Sequence, residues 1–382
     1  MKRSVLVGAV ALGLMAGGAR IASAYPQWQF VGGSRCVQCH FNPAGGGLIT
    51  GYGRDAVGDE LSTWSGDGAF LHGGVELPNW LALSADLRGA SLYHDAANPD
   101  GPTQAAFPMQ ADAHFRAGTS LIAFSGTVGI RGRVRADTEP SLGTGNSRPT
   151  AFSRFVSREH YLMWRPPKFA GYIRLGRFFA PYGLRLAEHT AYIRRDLGYN
   201  LLDETYNFSV GAVRPEWEVH VTGFVPFAPQ GFGGRELGGA GLYERRFLGF
   251  TALGLSARYG STEDSKRWAA GLYGKVYVER LRTMLMLEGD VVKAGPSAGP
   301  TTDQFVGYGG VTIFPFKGLW LGAYVERTQT DIKVRGTTTD ALNGQINWFP
   351  YPHFELVLLA RRQQPNGQEP ARTMMLQLHY FM

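Results

Sequence analysis

Leu81-Ala82-Leu83-Ser84-Ala85-Asp86-Leu87-Arg88 alternates without a break. Leu81, Leu83, Ala85 and Leu87 leave the backbone on one side; Ser84, Asp86 and Arg88 leave it on the other. Successive side chains of an extended chain point to opposite faces, so this period of two predicts a strand with one apolar and one polar face. A helix over the same residues would scatter both sets around its circumference.

The same pattern continues outward from this stretch. Met109, Ala111, Ala113, Phe115 and Ala117 alternate with Gln110, Asp112, His114 and Arg116, and Phe354, Leu356, Leu358 and Ala360 alternate with Glu355 and Arg361. Turn residues separate the runs. Strands are expected near 79–93, 107–118, 121–136, 152–165, 170–179, 204–213, 216–226 and 237–247. Others fall near 250–260, 267–279, 281–293, 303–314, 318–329, 339–349, 353–362 and 371–382. That makes about sixteen, at roughly 19 residues per strand with its connection, which suits spanning strands joined by alternating short turns and longer loops.

A soluble sandwich also alternates. Three features favour a membrane barrel: charges gather on one face only, the runs continue to the last residue, and aromatic residues sit at run ends. The last are Tyr161 with Trp164, Phe178 with Phe179, and Trp348 with Phe349, where interfacial girdles are expected. An even strand number lets the sheet close and leaves no unpaired edge in lipid. In the final run Met374, Leu376, Leu378, Tyr380 and Met382 form the expected lipid-facing series, with Gln377 and His379 inward. This run resembles the C-terminal assembly signal of outer-membrane proteins, here closed by Met382 after Phe381.

Composition agrees. The chain carries 52 Gly, 23 Phe, 17 Tyr and 8 Trp beside only 18% charged residues, and no apolar run after the first residues is long enough for a spanning helix. Lys2 and Arg3, an apolar stretch to Ala19, and Ala22-Ser23-Ala24 read as a cleaved secretory signal over 1–24, with Tyr25 the first mature residue. The formal charge of +7 falls by three when Lys2, Arg3 and Arg20 leave, which is too mild to suggest a nucleic-acid partner.

The only two cysteines lie in Cys36-Val37-Gln38-Cys39-His40, the attachment pattern of a c-type haem. The spacing has a chemical purpose. Two thiols add across the haem vinyl groups as thioethers, and the adjacent imidazole is delivered to the iron. Two other chemistries use such thiols. A redox disulfide usually sits in a βαβ unit, and a zinc site needs further strong ligands nearby. Export, the absence of other thiols and the placement of His40 favour one covalent haem c. Its sixth ligand is open: His72 is the candidate before the first strand, with His94, Met109, His114 or an open iron as alternatives. Residues 25–78 are few for burying a haem unaided, so this segment is expected to pack into or against the barrel mouth. The expected fold is therefore an all-β transmembrane antiparallel barrel over 79–382, preceded by a monohaem segment over 25–78.

This arrangement resembles the fused outer-membrane cytochrome–porins, among them the outer-membrane cytochromes of iron-oxidising bacteria. Where the iron-oxidising members carry Phe-Ala-Arg-Gln-Thr-Gly ahead of the haem motif, this chain reads Tyr25 to Arg35 as YPQWQFVGGSR, so the resemblance does not carry iron over as the donor. It implies a Gram-negative outer-membrane protein in lipid, passing electrons between an extracellular donor or acceptor and a periplasmic c-type cytochrome or other redox carrier. A second resemblance lies in Gly176-Arg177-Phe178-Phe179-Ala180-Pro181-Tyr182-Gly183, which is similar to the Gly-x-Phe-x-x-Pro-aromatic-Gly strand and turn of general and anion-selective porins. Arg174, Arg177, Arg185, Arg194 and Arg195 lie around it, either as an anion-selecting constriction or as rim charges toward lipopolysaccharide. A porin passing small, anionic solutes with the haem segment as plug or sensor is the second functional reading. An oxidoreductase acting at an open haem face is the third. No catalytic triad or nucleotide-binding loop stands out.

Overall fold

The computed structural model describes residues 26–30, 36–96, 101–130, 155–188, 190–199, 204–226 and 236–382. The expected signal, 1–24, with Tyr25, lies outside the described residues.

Two short helices, α1 (Cys36–Cys39) and α2 (Gly51–Ala56), precede the sheet, and a π-helical turn, Val57–Leu61, extends the second. The sheet then runs β1 (Leu81–Asp95), β2 (Thr103–Gly118), β3 (Ile122–Ile130), β4 (Phe155–Val156), β5 (His160–Trp164) and β6 (Gly171–Phe178). After helix α3 (Tyr192–Arg195) come β7 (Thr205–Val213), β8 (Trp217–Val225), β9 (Leu237–Phe247), β10 (Thr251–Ser261) and β11 (Ser265–Val278). The last are β12 (Thr283–Pro296), β13 (Thr302–Phe316), β14 (Leu319–Gln329), β15 (Thr338–Trp348), β16 (Phe354–Pro365) and β17 (Ala371–Phe381). Chain neighbours pair antiparallel throughout, and β17 pairs with β1, so the sheet closes on itself.

β4 and β5 both pair with β3 and make one interrupted stave, where Ser157, Arg158 and Glu159 break the ladder. The barrel thus has sixteen staves, and every one falls on an expected run. Among the described residues no helix is long and apolar enough to cross a membrane; the strands are the spanning elements.

The outer surface is apolar. Leu162, Leu175, Val221, Leu272, Leu287, Val325, Leu342 and Leu376 all stand exposed on it, whereas Arg174, Glu218, His220, Glu244, Lys275 and Glu326 are buried inside. A belt of leucine and valine in water would be an aggregation surface, but against acyl chains it is the stable face.

Three expectations need correction. The aromatic pairs do not form outward girdles: of the six, Trp164 is exposed on the outside, while Tyr161, Phe178 and Phe349 are buried within the barrel. The reason is that the inner face of the barrel packs a core of its own. A sixteen-stranded cylinder is too wide for its own inward side chains to fill; Phe349 packs against the segment that occupies it, while Tyr161 and Phe178 pack on each other and on Met163 and Tyr172 along the wall. The second correction is local. β1 and β2 shift register between Arg88 and Gly89, where Gln110 pairs with Arg88 and Pro108 with Gly89. The extra residue, Met109, makes a bulge that reverses the facing of the rest of the strand. Met109 and Phe107 therefore look inward, where strict alternation put Met109 outside. Met382 also departs from the lipid-facing series. It lies past the end of β17, buried, and its N–H donates to the Ala85 carbonyl at 3.0 Å.

Candidate functional site

The N-terminal segment sits inside the cylinder. Trp28 stacks on Trp320 with centroids 5.5 Å apart and meets Phe314 edge-on at 5.6 Å. Trp28, Phe30, Ile49, Val57 and Leu61 share one buried apolar cluster with Leu184, Tyr192, Trp320 and Phe349. Polar contacts reinforce the fit. Lys275 donates to Gln29 Oε1 at 2.5 Å, Arg165 to the Phe41 carbonyl at 3.1 Å, and the Thr63 amide to the Phe349 carbonyl at 2.8 Å. The Arg116 guanidinium lies over the Phe41 ring at 4.6 Å. The segment and the wall supply each other's missing partners.

Within the segment, α1 is the Cys36–Cys39 turn itself, and the His40 amide donates to the Cys36 carbonyl at 2.8 Å. The chain then reverses through Gly45, Gly46 and Gly47, three successive residues with positive φ, and His40 pairs with Ile49 in an isolated antiparallel bridge. Residues with a Cβ would strain at each of these three positions. Thr50 caps α2 by accepting from the Gly53 amide at 3.1 Å, and Gly53 lets α2 lie against α1, because a Cβ there would come within 2.5 Å of the Cys39 carbonyl. Local sequence chemistry thus fixes where the two thiols and the imidazole point.

They point into a cavity of about 940 Å3. Cys36, Cys39 and His40 line it from the segment; Asp86, Arg88, Asp112, His114 and Met375 line it from the wall. The third side is an inward loop between β6 and β7, carrying Tyr182, Leu184, Arg185, Arg194 and Arg195. This loop is held by wall carboxylates that strand periodicity aims inward. The Leu184 amide donates to Glu288 at 2.7 Å, the Tyr192 amide to Glu326 at 2.6 Å, and the Tyr182 hydroxyl to Asp290 at 2.8 Å. Burial and the adjacent Asp290 push the Tyr182 phenol above its ordinary pKa, so it stays a donor.

Of the five arginines singled out in the sequence, Arg174 and Arg177 are buried, Arg185 and Arg194 are half-buried along the cavity, and Arg195 lines it while staying exposed. Arg174 and Arg177 are buried in β6, Arg177 pairing with Glu204 at 3.2 Å. Arg185 pairs with Glu218 at 2.9 Å, and Arg195 with Asp196 at 2.6 Å. With Arg88, Arg158 and Arg361 the basic residues outnumber the acidic ones around the cavity, although most have a carboxylate beside them.

The residues present suit a haem. The two thiols are not bridged to each other. His40 is 2% exposed, and burial lowers its pKa to about 4 against the opposing effect of the Gly46, Gly47 and Leu48 backbone beside the ring. A neutral imidazole with a lone pair to give is what a haem iron requires. His72 is placed elsewhere: it is exposed at the end of the segment and meets His353 edge-on with centroids 4.8 Å apart, away from the cavity. No group of three or more His, Cys, Asp or Glu side chains able to hold a bare metal ion occurs among the described residues.

What sequence reasoning missed is the inward loop and its acidic anchors. Glu218, Glu244, Glu288, Asp290 and Glu326 are all inward-facing, and their place in the polar series of β8, β9, β12 and β14 was the available signal.

No family model matches the chain, and no curated protein matches it either. Solved structures do. Outer-membrane expressed OmpT of Vibrio cholerae aligns with a TM-score of 0.59 and 10% identity, over 81% of this chain and 99% of that one. An anion-selective porin from Comamonas acidovorans aligns with a TM-score of 0.59 and 10% identity, over 79% of this chain and 99% of that one. Salmonella typhi OmpF, in complex with daunomycin, gives 0.59 and 9%, over 81% and 100%. At such identities the likeness speaks for the fold: this chain is an all-β, closed antiparallel barrel of sixteen staves, like the outer-membrane porins.

Proposed function

We propose that the chain is a Gram-negative outer-membrane channel of the porin type, whose lumen its own N-terminal segment narrows, and that small anionic solutes use the remaining passage. The observation that supports it most is the cavity of about 940 Å3 bounded by Arg88, Arg158, Arg185, Arg194, Arg195 and Arg361. Inward arginines in a low-dielectric wall attract anions and repel cations, which is how charged rings select in pores. The haem motif would then belong to the plug, as a structural weight or a redox sensor. Planar-bilayer recording of the full chain is the test. Steady conductance with a reversal potential favouring chloride supports this reading, and a silent membrane contradicts it.

A second reading is favoured by a different observation: Cys36, Cys39 and His40 face that same cavity rather than solvent. On this reading one covalent haem c carries electrons between an extracellular donor or acceptor and a periplasmic c-type cytochrome or other redox carrier. The haem supplies the one-electron chemistry. The chain's residues tether it, give His40 to its iron and shield it from water with the inward loop. A single haem has limited reach across a core of ~30 Å, so a docking redox protein is required. Mixing the oxidised protein with a reduced periplasmic cytochrome, and following both spectra, tests it; no exchange on the scale of seconds would remove it.

A further inference from the structure

We propose that His114 supplies the second axial nitrogen to a haem held by Cys36, Cys39 and His40, on the cavity wall opposite the tether. The proposal rests on the reading of these three residues as a haem attachment site, and it concerns the ligand that the sequence left open.

β2 turns His114 inward, where it is 8% exposed and lines the cavity shared with His40. Its Nδ1 sits 2.8 Å from the Thr127 hydroxyl, while its Nε2 is buried with no hydrogen-bond partner. A bond at one ring nitrogen fixes the ring and decides which nitrogen is left for a metal, and haem and zinc histidines are oriented in this way. Both rings line the same cavity. The glycine turn passes beside His114. A Cβ at Gly47 would stand 3.9 Å from His114 Nδ1, and one at Gly46 would meet nothing within 4 Å. The space for a flat macrocycle is the cavity of about 940 Å3 that both rings line.

The other described histidines are either committed or lie off the cavity. His379 is held between Glu355 at 2.7 Å and Asp86 at 3.1 Å, and His160 between Ser157 and Tyr206, both at 2.8 Å. His220, with one nitrogen on Tyr172 at 2.7 Å, and His94, with one on Thr373 at 2.9 Å, do not line the cavity. Among the described histidines other than His40, only His114 turns an uncommitted ring nitrogen to the cavity. Met109 lies five residues along β2 from His114, about 17 Å at strand spacing.

The test uses the full chain purified from membranes with its haem stain verified, and compares optical and electron paramagnetic resonance spectra of wild type, His114→Ala and His114→Met. A heat-dependent gel shift shows that each barrel is folded. The expected wild type is low-spin with two imidazoles. His114→Ala should turn high-spin and bind carbon monoxide when reduced. His114→Met should stay low-spin, gain a sulfur-to-iron charge-transfer band and rise in midpoint potential, since a Met/His pair sits above a bis-His pair. A folded His114→Ala that keeps the wild-type low-spin spectrum overturns the proposal, as does a high-spin wild type; in both cases a positive haem stain leaves the attachment reading standing. A negative stain on wild type defeats the attachment reading itself.

Discussion

Arg174 in β6 donates from Nη1 to Asn42 Oδ1 at 2.7 Å, tying the wall to the residue two places after His40. The same guanidinium lies 3.5 Å over the Phe178 ring, and the Asn42 amide donates onward to Glu159 at 3.1 Å. One neutral side chain therefore bridges a buried cation and a carboxylate, and holds the thiol turn in register with the cavity.

Asn42→Ala removes both bonds and leaves Arg174 with its charge turned to an apolar pocket. Hydrogen bonds to buried charges contribute about 1.5–3 kcal/mol. The segment should loosen by that order while the strands keep their protection, seen as faster amide exchange over residues 36–56 alone.

Trp28→Ala empties the stack on Trp320 and the edge contact with Phe314. Truncating a buried tryptophan costs about 3–5 kcal/mol. Because the lost contact joins segment to wall, the expected result is a docked segment that exchanges with an undocked one. Bilayer recordings should then show flickering current of larger amplitude than the wild type.

Lys275 forms an ion pair with Glu244 at 2.6 Å and also holds Gln29. Lys275→Met strands a buried carboxylate that Arg246 only partly balances, at 2.9 Å. Breaking one side of a buried pair costs about 3–5 kcal/mol, so the heat-modified gel transition should move to lower temperature. The double variant Lys275→Met with Glu244→Gln should recover much of the loss.

The turn after β15 responds to pH. Burial, then the His72 charge beside it, lowers the His353 pKa from 6.5 to about 4. An undocked chain takes up the proton more readily than the docked one, so acid favours undocking. The contact of His353 with His72 and with the Ala69 carbonyl, at 3.2 Å, is complete above pH 6.5 and is lost as pH falls toward 4. Amide exchange over residues 62–74 should rise across that window, and His353→Phe should flatten the response.

Much of this architecture was legible from period two alone. The Leu81–Arg88 alternation placed Ser84, Asp86 and Arg88 inside, and all sixteen expected runs became staves, because facing in a strand depends only on parity. The bulge at Met109 was not legible, since one added residue leaves the alternating pattern intact on either side while exchanging the faces. Nor were the inward positions of Tyr161, Phe178 and Phe349. An aromatic residue at a strand end suits a lipid interface and a filled lumen equally, and what decides is the inner packing it finds: the segment for Phe349, neighbouring wall residues for Tyr161 and Phe178. The thiols and His40 were found by their spacing. The setting of His114 was not, because its partner Thr127 comes from the neighbouring strand.

The pairing of β17 with β1 joins parts of the chain nearly three hundred positions apart, as in Leu87 opposite Tyr380. Contacts of such separation form late, since the intervening chain must be ordered first. Once they form, Cys39 retains 2% of its exposure. Any enzyme that were to modify this thiol would have a deadline: it would have to act on a polypeptide still open along its length, before the last hydrogen bonds zip the seam shut.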